Sequence, residues 1–371
     1  MAKTRIAHVT SVHSAFDIRI FHKECRTLTS HGYEVILIAP NERDEERAEV
    51  TIKAVPLPST RRERILKTTW DVCRKALELD CKVCHFHDPE LLLPALLWKL
   101  HGKKVIYDLH ENFPQQILEK EWVPSYIRLG LSKFAEALEG CSQSCFDGLV
   151  AATPVLRRRF SKNQTVLVQN FPILDEWRSS QPFPHADRPL QAVYLGGISE
   201  LRGSFEMVQA FSFLREYPAA RLVLAGRFNS PDHEERIRKS PGWERVEFLG
   251  WKDRKEIPEI LNKVRAGLVI IHRTPYYMES QPTKLYEYMA AGIPVIASDF
   301  PLWRELVSGV GCGLLVNPER PEEIAGALRW LFEHPDEAEE MGKRGREAVA
   351  SQYNWETEGR KLVAFYDSLL S

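Results

Sequence analysis

The sequence predicts an α/β protein built from two doubly wound domains, each a parallel sheet covered by helices. Three observations carry this. Short runs rich in Val, Ile and Leu alternate with longer amphipathic segments throughout the chain, the rhythm of strand–helix units. That rhythm lapses once, over residues 171–190 (FPILDEWRSSQPFPHADRPL), which are rich in Pro, Ser and charge without a clear period, and then restarts. A length of 371 residues exceeds one ordinary core and suits two.

In chain order, the first half offers strands in RIAHVTSV, EVILIAP, VTIKAV, VCHFH, KKVIYDL, GLVAA and TVLVQ. The second offers LQAVYLG, ARLVLAG, RVEFLG, AGLVII, IPVIAS and CGLLV. The division follows: a first domain over 1–170, a linker over 171–190 and a second domain over 191–352. The amphipathic 353–371 is expected to pack back across the domains as a helix. Parallel sheets of this kind bind ligands beyond their C-terminal strand ends, so a cleft between the two domains is the expected site.

Composition narrows the function. With 44% hydrophobic and 27% charged residues and a formal net charge of -1, the chain reads as soluble and globular. A nucleic-acid partner is not expected, because it needs a basic domain or stripe. MAKTRIAHVTSV goes straight into a strand-like run with no signal-peptide pattern. The longest apolar stretch, LLLPALLW, is far short of the roughly 18 residues of a membrane span. A cytoplasmic protein is expected, so the NQT sequon at Asn163 carries little weight. The seven cysteines read as free thiols. In CKVC, positions three apart on a strand face opposite ways, so Cys81 and Cys84 do not chelate one ion unless Cys81 lies outside the strand. Buried free cysteine is the favoured reading.

The chemistry concentrates in MESQPTKLYEYMAAGIPVIAS, 278–298, where Glu279 and Glu287 flank a Pro-Thr-Lys. Pro282 suits a helix first turn and Gly292 the left-handed position just past its end, which predicts a helix from about Pro282 to Ala291. Its first turn, at Thr283 and Lys284, exposes backbone N–H groups, the positive end of the helix dipole and an ammonium. That is a site for a phosphate or diphosphate. The glutamates suit a different part of the ligand, because a carboxylate accepts two hydrogen bonds from a vicinal diol such as a ribose or hexose carries. Taken alone, a solvated loop acid and a surface helix acid are the commoner explanation. A second strand-loop-helix, AVYLGGISELRGSFEMVQAF (192–211), weighs against that. Gly196 and Gly197 permit close backbone approach at a strand end, and Arg202 beside Gly203 supplies charge for a diphosphate.

With both stretches read, the C-terminal half resembles the family 4 retaining glycosyltransferases of GT-B fold. Their signature is a Glu-x7-Glu segment leading into a helix and a GxPVIAS strand, seen here from Glu279 to Ser298. The LGG....RG segment and GCGLLVNPERPEEIAGAL, which begins at Gly311, also fit. In the N-terminal half, DIRIFHKECRTLTSHGYEVILIAP, HFHDPELLLPAL and VIYDLHENFP look like the acceptor domain of polysaccharide-assembling members.

The resemblance implies two Rossmann-like domains and retaining transfer of a hexosyl or N-acetylhexosaminyl group from a nucleoside diphosphate donor, chiefly a UDP-sugar. The acceptor is a glycan or lipid-linked glycan, in surface polysaccharide or glycoconjugate assembly. Glu287 would bind the ribose hydroxyls and Glu279 the donor sugar. Arg202 stands where relatives often have a diphosphate-binding lysine. Gly197 departs from an arginine common in the family, and Lys284 is the residue placed to compensate. His110 matches a position near the reaction centre, with a core histidine at a strand end as the structural alternative. Asp88, Glu90 and Glu111 follow strands and are candidates for acceptor contact or helix capping. No Asp-x-Asp triplet occurs, so no metal and no cofactor beyond the nucleotide-sugar substrate are expected.

The basic segment RRERILKTTWDVCRKALEL (61–79) places Ile65, Leu66, Trp70 and Leu77 at roughly helical spacing. It suits contact with an anionic membrane or a sheet-packing helix with a solvated basic face, and RRRFSK (157–162) is open to both readings. Two rivals remain at this stage: a nucleotide-sugar 2-epimerase of GT-B fold and a catalytically inactive partner subunit.

Overall fold

A computed structural model describes residues 3–120, 123–160, 165–177 and 184–371. The sequon at Asn163 and the last two residues of RRRFSK lie outside the described residues.

The chain forms two compact units. The first comprises Met1–Asn170 with Trp355–Ser371, and the second comprises Phe171–Asn354. In the first, strands β1 (Arg5–Val9), β2 (Glu34–Pro40), β3 (Glu45–Arg47), β4 (Val50–Val55), β5 (Val83–Phe86), β6 (Lys104–Leu109), β7 (Gly148–Ala151) and β8 (Thr165–Leu167) make one sheet. Its order is β3-β4-β2-β1-β5-β6-β7-β8. All pairs are parallel except β3 with β4. The second unit holds β9 (Gln191–Leu195), β10 (Arg221–Ala225), β11 (Val246–Gly250), β12 (Ala266–Val269), β13 (Val295–Ser298) and β14 (Gly313–Val316). Their order is β11-β10-β9-β12-β13-β14, all parallel.

Every apolar run read as a strand contains one. The exception in the other direction is β3, whose Glu45, Glu46 and Arg47 offer no apolar alternation. It pairs through a two-residue turn in which Ala48 and Glu49 take φ of 50° and 60°. That hairpin geometry normally announces itself with Asn or Gly, which are absent here. A charged edge strand also resists pairing with other chains.

One correction concerns the segment between the two sets of strands, and the C-terminal helix packs back as expected. Residues 171–190 were expected to be a linker, yet those described pack into the second unit: Phe171 and Trp177 join its core, and buried His185 meets the Arg265 carbonyl at 3.0 Å. The C-terminal helix Trp355–Leu370 belongs to the first unit. There the Trp355 indole donates to Thr27 (2.8 Å), the Tyr33 hydroxyl to Asp367 (2.6 Å), and the Gln169 amide to Glu358 (2.9 Å). Its apolar face carries Leu362 and Tyr366, both fully buried.

In CKVC the exception allowed for in the sequence is the one found. Cys81 lies just before β5 begins at Val83, so it escapes the strand's alternation and its sulfur sits 3.7 Å from that of Cys84. Both thiols are buried, as expected. The hydrogen bond with Cys84, with help from the Lys103 ammonium 3.4 Å away, draws the Cys81 thiol down to about 7.

Both sheets reverse direction once. The order runs outward one way from β1 through β2 and the other way from β5, and likewise from β9 through β10 and from β12. Such switch points open crevices at the C-terminal strand ends, and these are where open α/β sheets hold ligands.

Candidate functional site

The second unit's switch point lies between β9 and β12, and four of the sequence-predicted residues meet there. Leaving β9, Gly196 takes φ 114°. A short turn, Glu200–Arg202, precedes Gly203, whose φ of 59° and approach to the Ile270 backbone admit no side chain: a Cβ would stand 2.9 Å from that carbonyl oxygen. The helix Ser204–Ser212 then starts. Arg202 directs its guanidinium back over the loop, and a Cβ on Gly197 would lie 3.1 Å from its Nη1. The space that a side chain at 197 would occupy is thus filled by Arg202.

The predicted helix is Thr283–Ala290, one residue shorter at each end, with Pro282 as its cap and Gly292 at φ 68° as expected. Trp303 fixes the loop before it by donating from its indole to the Ser280 carbonyl, 2.8 Å. Thr283 opens the helix. The stem of Lys284 is partly exposed, but its ammonium nitrogen is enclosed, has no hydrogen-bond partner, and lies 3.8 Å from the centre of the Tyr194 ring. Gly196 faces it: a Cβ there would be 3.4 Å from Lys284 Nζ. Burial, and then the Arg202 charge, push this lysine well below the usual ammonium range. An enclosed amine without a hydrogen-bond partner, close to the Arg202 charge and to Gly196, fits an anion that would complete its contacts and restore its proton.

Glu287 lies one turn into the helix, half-buried, with the Arg254 guanidinium 3.8 Å away. Arg254 is itself gripped by Glu176 through two hydrogen bonds. Glu279 is exposed at the end of a short helix, Pro275–Met278, that the sequence reading did not include. Thus Gly196, Gly197, Arg202 and Lys284 are brought together, Thr283 and Glu287 share the helix, and Glu279 stands in the loop before it.

In the first unit the crevice lies at the ends of β1 and β5, with β6 alongside. His110 follows β6, and its Nε2 is 2.7 Å from Asp108 Oδ2 and 3.1 Å from His87 Nδ1. Asp108 is buried and clamped by Arg19, whose Nε and Nη2 donate to its two oxygens at 2.9 and 2.8 Å. Burial alone would raise this carboxyl, but Arg19 and His110 outweigh it and hold it well below the usual range. Arg19 Nε also lies 3.0 Å from Glu24, whose carboxyl is raised by burial and by Asp108. Two acids share one guanidinium, and Asp108 keeps the charge.

Behind His110 runs a buried string of rings. His87 Nε2 meets His8 Nδ1 at 3.0 Å, His8 Nε2 meets the Tyr366 hydroxyl at 3.3 Å, and Tyr366 meets His85 Nδ1 at 2.8 Å. Register explains it: His8 pairs with His85 across β1 and β5, and His87 lies two residues on, on the same face. Burial lowers all three histidines, His87 to about 4. His8, Glu24, His85 and His87, and separately His87, Asp108 and His110, have the donor atoms a divalent ion uses, within 4.8 Å of one another. Here those atoms face each other and Arg19.

The other acids have different placements. Asp88 is buried, and its Oδ2 accepts from the Thr10 hydroxyl (2.8 Å) and the Ser11 amide (2.6 Å), so it anchors the loop after β1. Glu90 pairs with Arg64 at 2.6 Å, and Glu111 is exposed and receives the Gln116 amide. His13, absent from the sequence reading, stands 3.4 Å from Asp17 and 3.5 Å from Asp88, with its ring 5.2 Å from that of His110. Burial opposes its charge, but the Asp17 hydrogen bond and the Asp88 carboxylate prevail and raise it to about 9. Its only sequence signal was a histidine in a loop after a strand.

Comparison with known proteins bears on the family and the fold. Residues 19–166 match the family described as Glycosyltransferase Family 4, and residues 175–348 match Glycosyl transferases group 1. A glycogen synthase of Mycobacterium tuberculosis is 24% identical over 76% of this chain and 68% of its own. GDP-mannose:cellobiosyl-diphosphopolyprenol alpha-mannosyltransferase of Xanthomonas oryzae is 22% identical over 77% and 74%. Among solved structures, Anabaena Alr3699/HepE in complex with UDP-glucose superposes with a TM-score of 0.74 at 14% identity, covering 98% of this chain and 99% of that one. Two parallel-sheet units, matched in turn by these two family descriptions across nearly the whole sequence, place the chain in the family 4 glycosyltransferases of GT-B fold.

Proposed function

We propose that this glycosyltransferase is a retaining, metal-independent enzyme that moves a hexosyl or N-acetylhexosaminyl group from a UDP-sugar to a glycan or lipid-linked acceptor. Its place would be the cytoplasmic face of a membrane, in surface polysaccharide or glycoconjugate assembly. The observation that carries the donor site is the enclosed, unpartnered Lys284 ammonium beside Gly196, with Arg202 as a second cation near it. As the sugar–phosphate bond breaks, negative charge grows on the diphosphate, and Arg202, Lys284 and the helix amides at Thr283 would stabilise it. Glu287 is assigned to the ribose hydroxyls and Glu279 to the donor sugar. His110, oriented by Asp108, is assigned to the transfer step, and Glu90 and Glu111 to the acceptor side, with Asp88 acting through the loop that carries His13.

The solved Anabaena protein binds UDP-glucose, which supports uridine, while the Xanthomonas relative is named for GDP-mannose and a polyprenol-linked acceptor. The test is calorimetric titration with UDP, GDP and ADP, repeated on Glu287→Ala and Arg202→Ala. Selective UDP binding, weakened by both substitutions, is the expected result. Binding of none of the three would defeat the donor assignment. Donor isomerisation without an acceptor would identify an epimerase, and nucleotide binding without turnover on any donor–acceptor pair an inactive partner.

A further inference from the structure

We propose that the outer face of the helical layer formed by residues 61–70, 95–100 and 125–134 docks on an anionic lipid bilayer. The proposal deepens the reading of a lipid-linked acceptor, and it stands on a surface remote in sequence from the donor residues.

The first observation is a helix turned inside out. A surface helix places its apolar stripe toward the core. Ser125–Cys145 instead buries Ser132, Ala135, Glu139 and Ser142, while Tyr126 is 85%, Leu129 60% and Phe134 61% exposed. Ile127 and Leu131 are exposed with them. Burying a serine and a glutamate while wetting a phenylalanine costs folding energy unless something covers the outer face.

The second observation is that neighbouring helices share the defect. Most large apolar side chains left exposed among the described residues fall between Leu57 and Phe134, including Leu66, Trp70, Leu96 and Leu100. The crossovers β4 to β5, β5 to β6 and β6 to β7 all run in one direction along the sheet, so right-handed connections put their helices on one face. Val72, Cys73, Ala95 and Trp98 pack there into one core, with Leu138 against it. The exposed residues therefore lie on the outer side of a single layer. Apolar surface of this extent marks an interface.

Charge selects the occupant. Residues 61–67 carry four cations, of which Arg64 is already paired with Glu90, and one acid, while 125–134 carry two cations and no acid. Lys120, from the helix region between them, lies close enough to Arg61 and Arg64 to feel both charges. A second copy of this chain meeting the same face about a two-fold axis would set these cations against one another, which is unfavourable. Anionic headgroups answer them, and Trp70 and Tyr126 have the amphipathic rings favoured at a headgroup boundary. By contrast Arg159, in the other basic run, is turned inward onto Glu139 at 3.0 Å and adds no charge to this surface.

The test is sedimentation of the full chain with phosphatidylcholine vesicles containing about one third phosphatidylglycerol, and with phosphatidylcholine alone, at low salt. Pelleting is expected with the anionic vesicles and several-fold less with the neutral ones. Leu129→Ser with Phe134→Ser, and separately Arg61→Glu with Arg62→Glu, should each reduce it about tenfold. Those side chains are exposed, so an unchanged thermal transition and unchanged UDP titration will show that the variants fold and that the donor site is independent of docking. Absence of pelleting, equal pelleting on both vesicles, or variants that bind like the parent would overturn the proposal. So would a lipid-free dimer, seen by analytical ultracentrifugation, that Leu129→Ser with Phe134→Ser abolishes.

Discussion

Arg19 and Asp108 are joined by two parallel hydrogen bonds, 2.9 and 2.8 Å, although 89 residues separate them and both are buried. The pair fixes the carboxylate that holds His110. Removing the Asp108 charge leaves buried Arg19 with Glu24 alone, whose ionisation burial opposes, so Asp108→Asn is expected to cost the first unit about 3 kcal/mol. In calorimetry its transition should fall while that of the second unit stays. An unchanged first transition would mean that the pair is solvated and of little worth.

His110 is bonded to Asp108 and His87 in the first unit, whereas the residues assigned to the nucleotide belong to the second. His110→Ala should therefore lower kcat by on the order of 10²-fold and leave UDP affinity within experimental error. Steady-state kinetics together with titration separates the two effects. A fall in affinity with kcat preserved would return this residue to a structural role.

Lys284 gives a linkage prediction. Its ammonium is depressed by burial while unpartnered, and a bound diphosphate would restore its proton. UDP binding should thus take up a proton, weaken as pH rises, and show an enthalpy that varies with the buffer's ionisation enthalpy. Lys284→Met should abolish that variation. Glu287→Gln should weaken UDP about tenfold or more, the worth of hydrogen bonds to a charged acceptor, without altering proton uptake.

The His13–Asp17 pair sets a pH window. His13 is raised from 6.5 to about 9, so its contribution is complete below about 6.5 and is lost as pH rises through about 9. Burial opposes Asp17's charge, but the His13 contact lowers its pKa, so on the acid side the contribution holds above the ordinary carboxyl range and fails as pH falls through the depressed value. With His13 about one third exposed, screening leaves about 1–2 kcal/mol. His13→Gln should flatten the stability profile between pH 6.5 and 9, measured by urea denaturation.

Chelation supplies a further check. After exhaustive treatment with EDTA and confirmation by elemental analysis that no divalent metal remains, turnover should be unchanged. Loss of turnover restored by a divalent ion would direct attention to the buried histidines around His8 and His87, whose donor atoms lie within 4.8 Å.

What could be read from sequence was whatever is local. Apolar runs marked the parallel strands because these are covered on both faces, and Pro282 with Gly292 bracketed the Thr283 helix within a residue at either end. Glu287 and Arg202 were found because each sits at a fixed offset from a helix start. The Arg19–Asp108 clamp has no local signal, since nothing in DIRIF announces a partner in VIYDLH. HFH did show two histidines on one strand face, but only sheet order brings His8 beside them. His13 was missed for a partly similar reason: Asp17 is only four residues away, but Asp88, which adds to its charge, stands 75 residues along the chain. For Cys81 the sequence left two placements open, because the strand's alternation says nothing of a residue before its first position, and β5 begins only at Val83.

The route of the chain also has a consequence for its birth on the ribosome. Once the polypeptide has been made as far as Asn354, the second unit has all its residues, whereas the first still waits for Trp355–Leu370. Until that helix emerges, Tyr366 cannot bridge His85 and His8, and Leu362 is missing from the layer it fills. The half translated first is thus the half completed last, and the period in which its histidines and apolar sheet face stand open spans the synthesis of everything between.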